Sequence, residues 1–277
     1  MREPHHRGGS GEPLLLLHGL TASWTVWQPV LGALEAEHDV LALTLPGHLG
    51  AAPLPEDRPA SVDELRGGVE RQLDGLGLDT VHVVGNSLGG WLALELARAG
   101  RARSVVALSP AGAWRTPKDL VRLNRLIRSG AWVMAHAPDG LERLLRRPRA
   151  RKLFLRSVSE HGERVPAAAM RGMFEDAAGC TVLDDLYVSI ADSTGVPHLP
   201  DPGCPIRIAW GGRDRTLPFE RYGKPMLEAV PSAELVMLPG VGHVPMSDDP
   251  ELVARTILEV TASPRVTREA SPAIPPG

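Results

Sequence analysis

The sequence predicts an α/β protein: a mostly parallel central sheet with helices on both faces, interrupted once by a helical insertion. Three observations predict it. From 13 to 112, short leucine-rich or β-branched runs alternate with amphipathic stretches. Between 113 and 198 the alternation stops, and helical patterns follow one another with no strand between them. From 199 to 262 it resumes. A strand–helix–strand order brings each new strand back beside the last in parallel, which is why the class follows from the rhythm. At 277 residues and 43% hydrophobic content the chain suits one large domain carrying an insertion.

Residues 1–12 are polar and glycine-rich, with room for one edge strand around His5–Arg7. Leu14–Leu17 reads as a strand buried on both faces. Trp24, Trp27, Leu31 and Leu34 recur at helical spacing and predict a helix with one inward face. Val40–Leu43 is the next buried strand, ended by Pro46-Gly47-His48. A helix is expected from about Ser61 to Leu76, with Ser61 and Glu64 spaced as a capping box. The strand Val81–Val84 is followed by a helix whose stripe is Leu88, Leu92, Leu96 and Ala99, and then by the strand Ser104–Leu108. Within the insertion, helices are expected over Lys118–Arg128, Asp139–Arg147, Lys152–His161, Pro166–Ala178 and Thr181–Ser193. After it come a strand at Pro205–Trp210, a helix near Pro218–Val230, the strand Glu234–Leu238 and a last helix over Pro250–Ala262. Asp248 and Asp249 are expected to cap that helix, with Pro250 in its first turn. The tail 263–277 holds four prolines and is expected to be disordered.

A formal net charge of −3 gives no global field for nucleic acid. The charge is segregated, however. Between Arg115 and Arg164 stand thirteen Arg/Lys against five Asp/Glu, a surplus of eight positive charges. A solvated arginine-rich face is the first reading and attraction of an anionic substrate the second. Cys180 and Cys204 lie in unrelated contexts without CxxC spacing or histidine neighbours, which fits free thiols in a reducing compartment. No apolar run reaches signal-peptide or membrane-span length. A cytoplasmic protein, with no nucleic-acid or membrane partner, is the expectation.

The chemistry centres on Gly85-Asn86-Ser87-Leu88-Gly89-Gly90. A β-branched run stops at a glycine, and a helix-forming stretch begins just past Ser87. Strand, sharp turn and helix with a serine at the apex make a nucleophile elbow. A serine hydroxyl is a weak nucleophile near neutral pH and needs a base, which needs an orienting acid. In an open parallel sheet such groups sit on loops after the carboxyl ends of strands. After the strand ending at Trp210 comes Gly211-Gly212-Arg213-Asp214, so Asp214 is the expected acid. After the strand ending at Leu238 comes Pro239-Gly240-Val241-Gly242-His243, so His243 is the expected base. The developing oxyanion needs backbone N–H groups, expected from Leu88 and Leu20. His18, beside Leu20, is read as structural.

On these residues the chain resembles the α/β-hydrolase superfamily, of the kind that holds small esterases, cofactor-free haloperoxidases and carbon–carbon bond hydrolases. The matching pieces are His18-Gly19, Pro46-Gly47-His48, residues 85–90, Gly211–Asp214 and Gly242-His243-Val244-Pro245-Met246. They span 13–262 without the insertion, which the resemblance implies is a cap. Serine at 87 sets the chain apart from branches that place aspartate there, among them the epoxide hydrolases and haloalkane dehalogenases. Asn86 also occurs in hydrolases of aromatic ring-fission products, yet Val244 stands where those have an aromatic residue. Thr44 stands where many relatives have aspartate.

The expected activity is hydrolysis of a small carboxylic ester through an acyl-enzyme. The alternatives are carbon–carbon hydrolysis of a dienoic ketone with the same triad, or a ligand-binding member of the fold without catalysis. The expected partner is a small acyl substrate, and no metal or organic cofactor is implied. Trp114, Trp132, Met170, Met173 and Phe174 are candidates to line the pocket, with helix packing as the other reading for each.

Overall fold

A computed structural model describes residues 3–55, 57–136 and 139–262. The tail 263–277, expected to be disordered, lies outside the described residues. Among those described, one seven-stranded sheet runs in the order β1-β3-β2-β4-β5-β6-β7. The strands are β1 (His5–Gly9), β2 (Glu12–Leu17), β3 (His38–Leu43), β4 (Val81–Asn86), β5 (Ala102–Leu108), β6 (Ile206–Gly211) and β7 (Glu234–Leu238). Every pairing is parallel except that of the edge strand β1 with β3, in register His5↔Leu43.

Alternation along β2 shows why the sheet is covered on both sides. Leu15 and Leu17 join one apolar core and Leu14 and Leu16 the other, all of them fully buried. The first core packs under α2 (Val62–Gly75) and α3 (Leu88–Arg98), and the second under α1 (Gln28–Glu35) and α11 (Pro250–Thr261). The spacing of Trp24 and Trp27 was expected to start a helix. Instead these residues form a separate 3₁₀ turn, and α1 begins at Gln28, where Pro29 suits a first-turn position. Ser61 caps α2, accepting from the Glu64 N–H at 3.1 Å, but the expected box is not closed, because the Glu64 carboxylate pairs with Arg58 instead.

Among the described residues, five α-helices lie between β5 and β6: α4 (Pro117–Ala135), α5 (Asp139–Leu145), α6 (Pro148–Phe154), α7 (Ala167–Ala178) and α8 (Leu183–Ala191). Helix α4 opens on a capping box of Thr116 and Asp119 with Pro117 in its first turn, and it outruns the expected span by seven residues. The helix expected over Lys152–His161 is not there. Helix α6 starts four residues earlier, at Pro148, and ends at Phe154, and its Arg151 turns inward onto the carbonyls of Leu145, Arg146 and Glu163. Residues 155–161 then run as turns across to the sheet domain. The remaining helices are α9 (Phe219–Ala229) and α10 (Pro245–Asp248). No helix among the described residues is long and apolar enough to cross a membrane.

Candidate active site

Ser87 sits at φ 56° and ψ −115° between β4 and α3, a strained conformation for a residue with a side chain. The strain is imposed by close packing. A Cβ on Gly85 would stand 2.0 Å from the Gly89 carbonyl oxygen, and one on Gly89 would stand 2.1 Å from that of Leu17. Only glycine at both positions lets strand, turn and helix converge. From Val81 to Ala97 every residue is buried except Ser87, so the turn lifts that one side chain out of the packed layer.

His243 and Asp214 meet directly, with Nδ1 2.7 Å from Asp214 Oδ2. The carboxylate's other oxygen accepts from the Leu217 N–H at 2.7 Å, and its side chain is wholly buried. Trp210 holds the same loop by donating from Nε1 to the Leu217 carbonyl. The loops that carry Asp214 and His243 touch over glycine: a Cβ on Gly211 would lie 2.2 Å from the Gly242 carbonyl oxygen. Arg213 N–H donates across the gap to Val241.

The elbow and the base loop are joined by Asn86, beside the serine. Its amide donates to the carbonyls of His243 at 2.9 Å and Leu108 at 3.1 Å. Asn86 therefore has a positional task that its sequence context did not disclose. Among the described residues no hydrogen bond links Ser87 Oγ to His243, so that last connection is open in this structure.

Leu20 and Leu88 both border the pocket that Ser87 opens into. Neither backbone N–H donates to a carbonyl among the described residues. The loop before Leu20 is fixed by His18, whose Nε2 accepts from Leu45 N–H at 2.9 Å. Its Nδ1 therefore carries the proton and donates to the Gly19 carbonyl at 2.7 Å. Burial, with the neighbouring His48 second, pushes the His18 imidazole well below its ordinary value, so it stays neutral.

The pocket is a cavity of about 70 Å³ with an apolar lining. Helix α4 contributes Leu120, Leu123, Asn124 and Ile127, and α8 contributes Leu183, Leu186, Tyr187 and Ile190. Both sets have the spacing i, i+3, i+4, i+7, a signal that was present in the sequence and not read from it. Of the five side chains proposed from sequence, Trp114 lines this cavity, edge-on to Trp91. The other four lie elsewhere. Trp132 is on the outer face of α4, 64% exposed and stacked on His136. Met170, Met173 and Phe174 belong to a third apolar cluster, with Leu145, Leu155 and Val165, that forms the insertion's own core. Among the described residues no group of three metal-ligating side chains converges.

Comparison with known proteins agrees with this architecture. The model of the alpha/beta hydrolase family matches residues 14–256. The chain belongs to that family, and its chemical class is hydrolase. It is 38% identical over 192 residues to the epoxide hydrolase EphH of Mycobacterium tuberculosis, covering 68% of this chain and 89% of the relative. It is 30% identical over 241 residues to a putative carbamate hydrolase, RutD, of Variovorax paradoxus, covering 79% and 86%. Among solved structures, a thermophilic esterase from Thermogutta terrifontis superposes with a TM-score of 0.71 at 22% identity, covering 93% and 92%. That likeness is one of fold.

Proposed function

We propose that the protein is a serine hydrolase of small, apolar carboxylic esters. Ser87 attacks the carbonyl carbon as His243 Nε2 takes its proton, and Asp214 holds the imidazole by Nδ1–H. The N–H groups of Leu20 and Leu88 stabilise the oxyanion. Collapse of the tetrahedral adduct expels the alcohol, which His243 protonates, and water then releases the acid by the same steps. Trp114 and the inner faces of α4 and α8 hold the apolar part of the ester. The observation that carries this reading is the His243–Asp214 contact at 2.7 Å on loops tied by Asn86 to a strained, uncovered serine.

The name of the M. tuberculosis relative raises epoxide opening as a rival. The nucleophile's chemistry decides against it. A carboxylate that opens an epoxide forms an ester, which water can cleave. A serine would form an ether, which the same machinery cannot hydrolyse. Asn86 does not favour carbon–carbon hydrolysis either, since its amide is occupied by two carbonyls.

Fluorophosphonate labelling read by peptide mass tests the proposal. One adduct on Ser87, with nitrophenyl-ester turnover reduced by about 10⁴-fold or more in Ser87→Ala, is expected. Epoxide or ester turnover that survives Ser87→Ala overturns it.

A further inference from the structure

We propose that Asp248 is a positioning residue for His243 and that it makes the base loop's geometry depend on the inserted segment. The inference rests on His243 being the catalytic base. Both aspartates before α11 were expected to cap that helix, and the structure divides them. Asp249 Oδ1 accepts from the Leu252 N–H at 2.9 Å and is the cap. Asp248 turns the other way and is completely buried.

Its carboxylate takes four donors, two on each oxygen. Oδ1 accepts from Ser159 Oγ at 2.5 Å and from His161 N–H at 2.7 Å. Oδ2 accepts from Glu160 N–H at 3.0 Å and from Gly242 N–H at 2.7 Å. Three donors lie in the insertion and the fourth is the residue immediately before His243. A buried anion needs its lone pairs filled, and these four bonds fill them.

The backbone around His243 is thereby gripped at each step. Gly242 N–H goes to Asp248, the His243 carbonyl to Asn86, and Val244 N–H to the Val158 carbonyl at 2.8 Å. A Cβ on Gly242 would press at 3.0 Å on Glu160 N and on the Val158 oxygen, so the insertion also forms the loop's steric wall. The acid loop is fastened to the same segment, with Thr216 Oγ1 donating to the Ser157 carbonyl and Arg215 paired with Glu160. Residues 156–161 are thus the common support of Asp214 and His243. The Asp248 carboxylate bridges three donors of the insertion to the peptide before the base, and the Val158 carbonyl holds the peptide after it.

Asp248→Asn is nearly isosteric yet turns one doubly accepting oxygen into a donor facing two donors. Ser159→Ala removes a single donor and serves where the first variant folds poorly. Asp249→Ala is the matched control, since it removes a helix cap from the adjoining carboxylate. Each variant is purified, its active sites are counted by burst titration with a nitrophenyl ester, and turnover is expressed per active site. Asp248→Asn is expected to lose about 10²-fold in kcat per site, with KM within about threefold, and to slow fluorophosphonate labelling by a similar factor. Ser159→Ala is expected to lose several-fold, and Asp249→Ala to keep full turnover per site. A purely structural role would reduce the number of active sites and leave turnover per site unchanged. That result in Asp248→Asn, or in Ser159→Ala where the first does not fold, overturns the proposal. His243→Ala separates the two levels: activity surviving there overturns the parent reading instead.

Discussion

His18 and His48 lie edge to face, 4.9 Å between ring centroids, both almost wholly buried beside the loop that carries Leu20. Burial pushes the His48 imidazole from 6.5 down to about 4, outweighing its favourable bonds to the backbone of residues 45 and 46. The unfolded chain protonates this group below pH 6.5, whereas the folded chain resists until about pH 4. Stability from keeping it neutral is therefore complete above pH 6.5 and is lost as the pH falls towards 4. For His48 the difference corresponds to about 3 kcal/mol. The urea midpoint of the wild type should drop steeply between pH 6.5 and 4, and that of His48→Asn should drop less. Equal slopes would show that another group governs acid unfolding. At this scale the sequence disclosed residue types but not all their tasks. Ser87, Asp214 and His243 could be chosen because each follows a strand in a glycine-bounded loop. Asp248 could not be separated from Asp249, since a buried clamp and a helix cap look alike until the chain's course at 155–161 is known.

Helices α4 and α8 each turn one apolar face to the cavity beside Ser87, and that face sets how large a substrate part can enter. A cavity of about 70 Å³ has room for only a few water molecules, so longer acyl chains require those faces to part or to be trimmed. Ile127 is partly buried on the inner face of α4. Ile127→Ala should raise kcat/KM for a hexanoyl ester relative to an acetyl ester by about tenfold, the worth of a methylene or so in an apolar pocket. An unchanged ratio measured on the two nitrophenyl esters would remove α4 from the pocket. Most strands and helices of the sheet domain were legible because a short apolar run or a helical period stops near a Gly or Pro; α1, followed by Ala36 and Glu37, has no such stop. The insertion was less so. Its helices are amphipathic on more than one side, serving both the pocket and a separate core. Large apolar side chains such as Met170 and Phe174 therefore gave no sign of which of the two they serve. Helix α6 begins before the expected Lys152 because Pro148 fits a first helical turn, where no N–H is needed.

Across the whole molecule, architecture and charge do not divide along the same line, since the inserted stretch beyond residue 164 carries Glu175, Asp176, Asp184, Asp185 and Asp192 against Arg171. The sheet domain from β1 to α11 holds the two large cores, and the helices between β5 and β6 roof the Ser87 pocket over a small core of their own. A chain of net charge −3 with eight surplus positive charges on 115–164 leaves a balance of eleven negative charges on the remainder. Lys118, Arg122 and Arg125 line a shallow groove on α4. The protein should be retained on a cation exchanger at pH 7.5 in low salt, although that is above its isoelectric point of about 6.4. It should elute by about 0.2 M salt, where screening shortens to several ångströms, and Arg122→Glu with Arg125→Glu should abolish retention. Unaltered elution of the double variant would place the binding face elsewhere. Segregated charge gives the molecule unlike faces: α4 is basic, while α8, across the pocket, carries Asp184 and Asp185. A polyanion or an anionic surface therefore exerts a torque on it as well as a pull. In dilute salt the basic face of α4 is the one turned towards whatever attracted the protein.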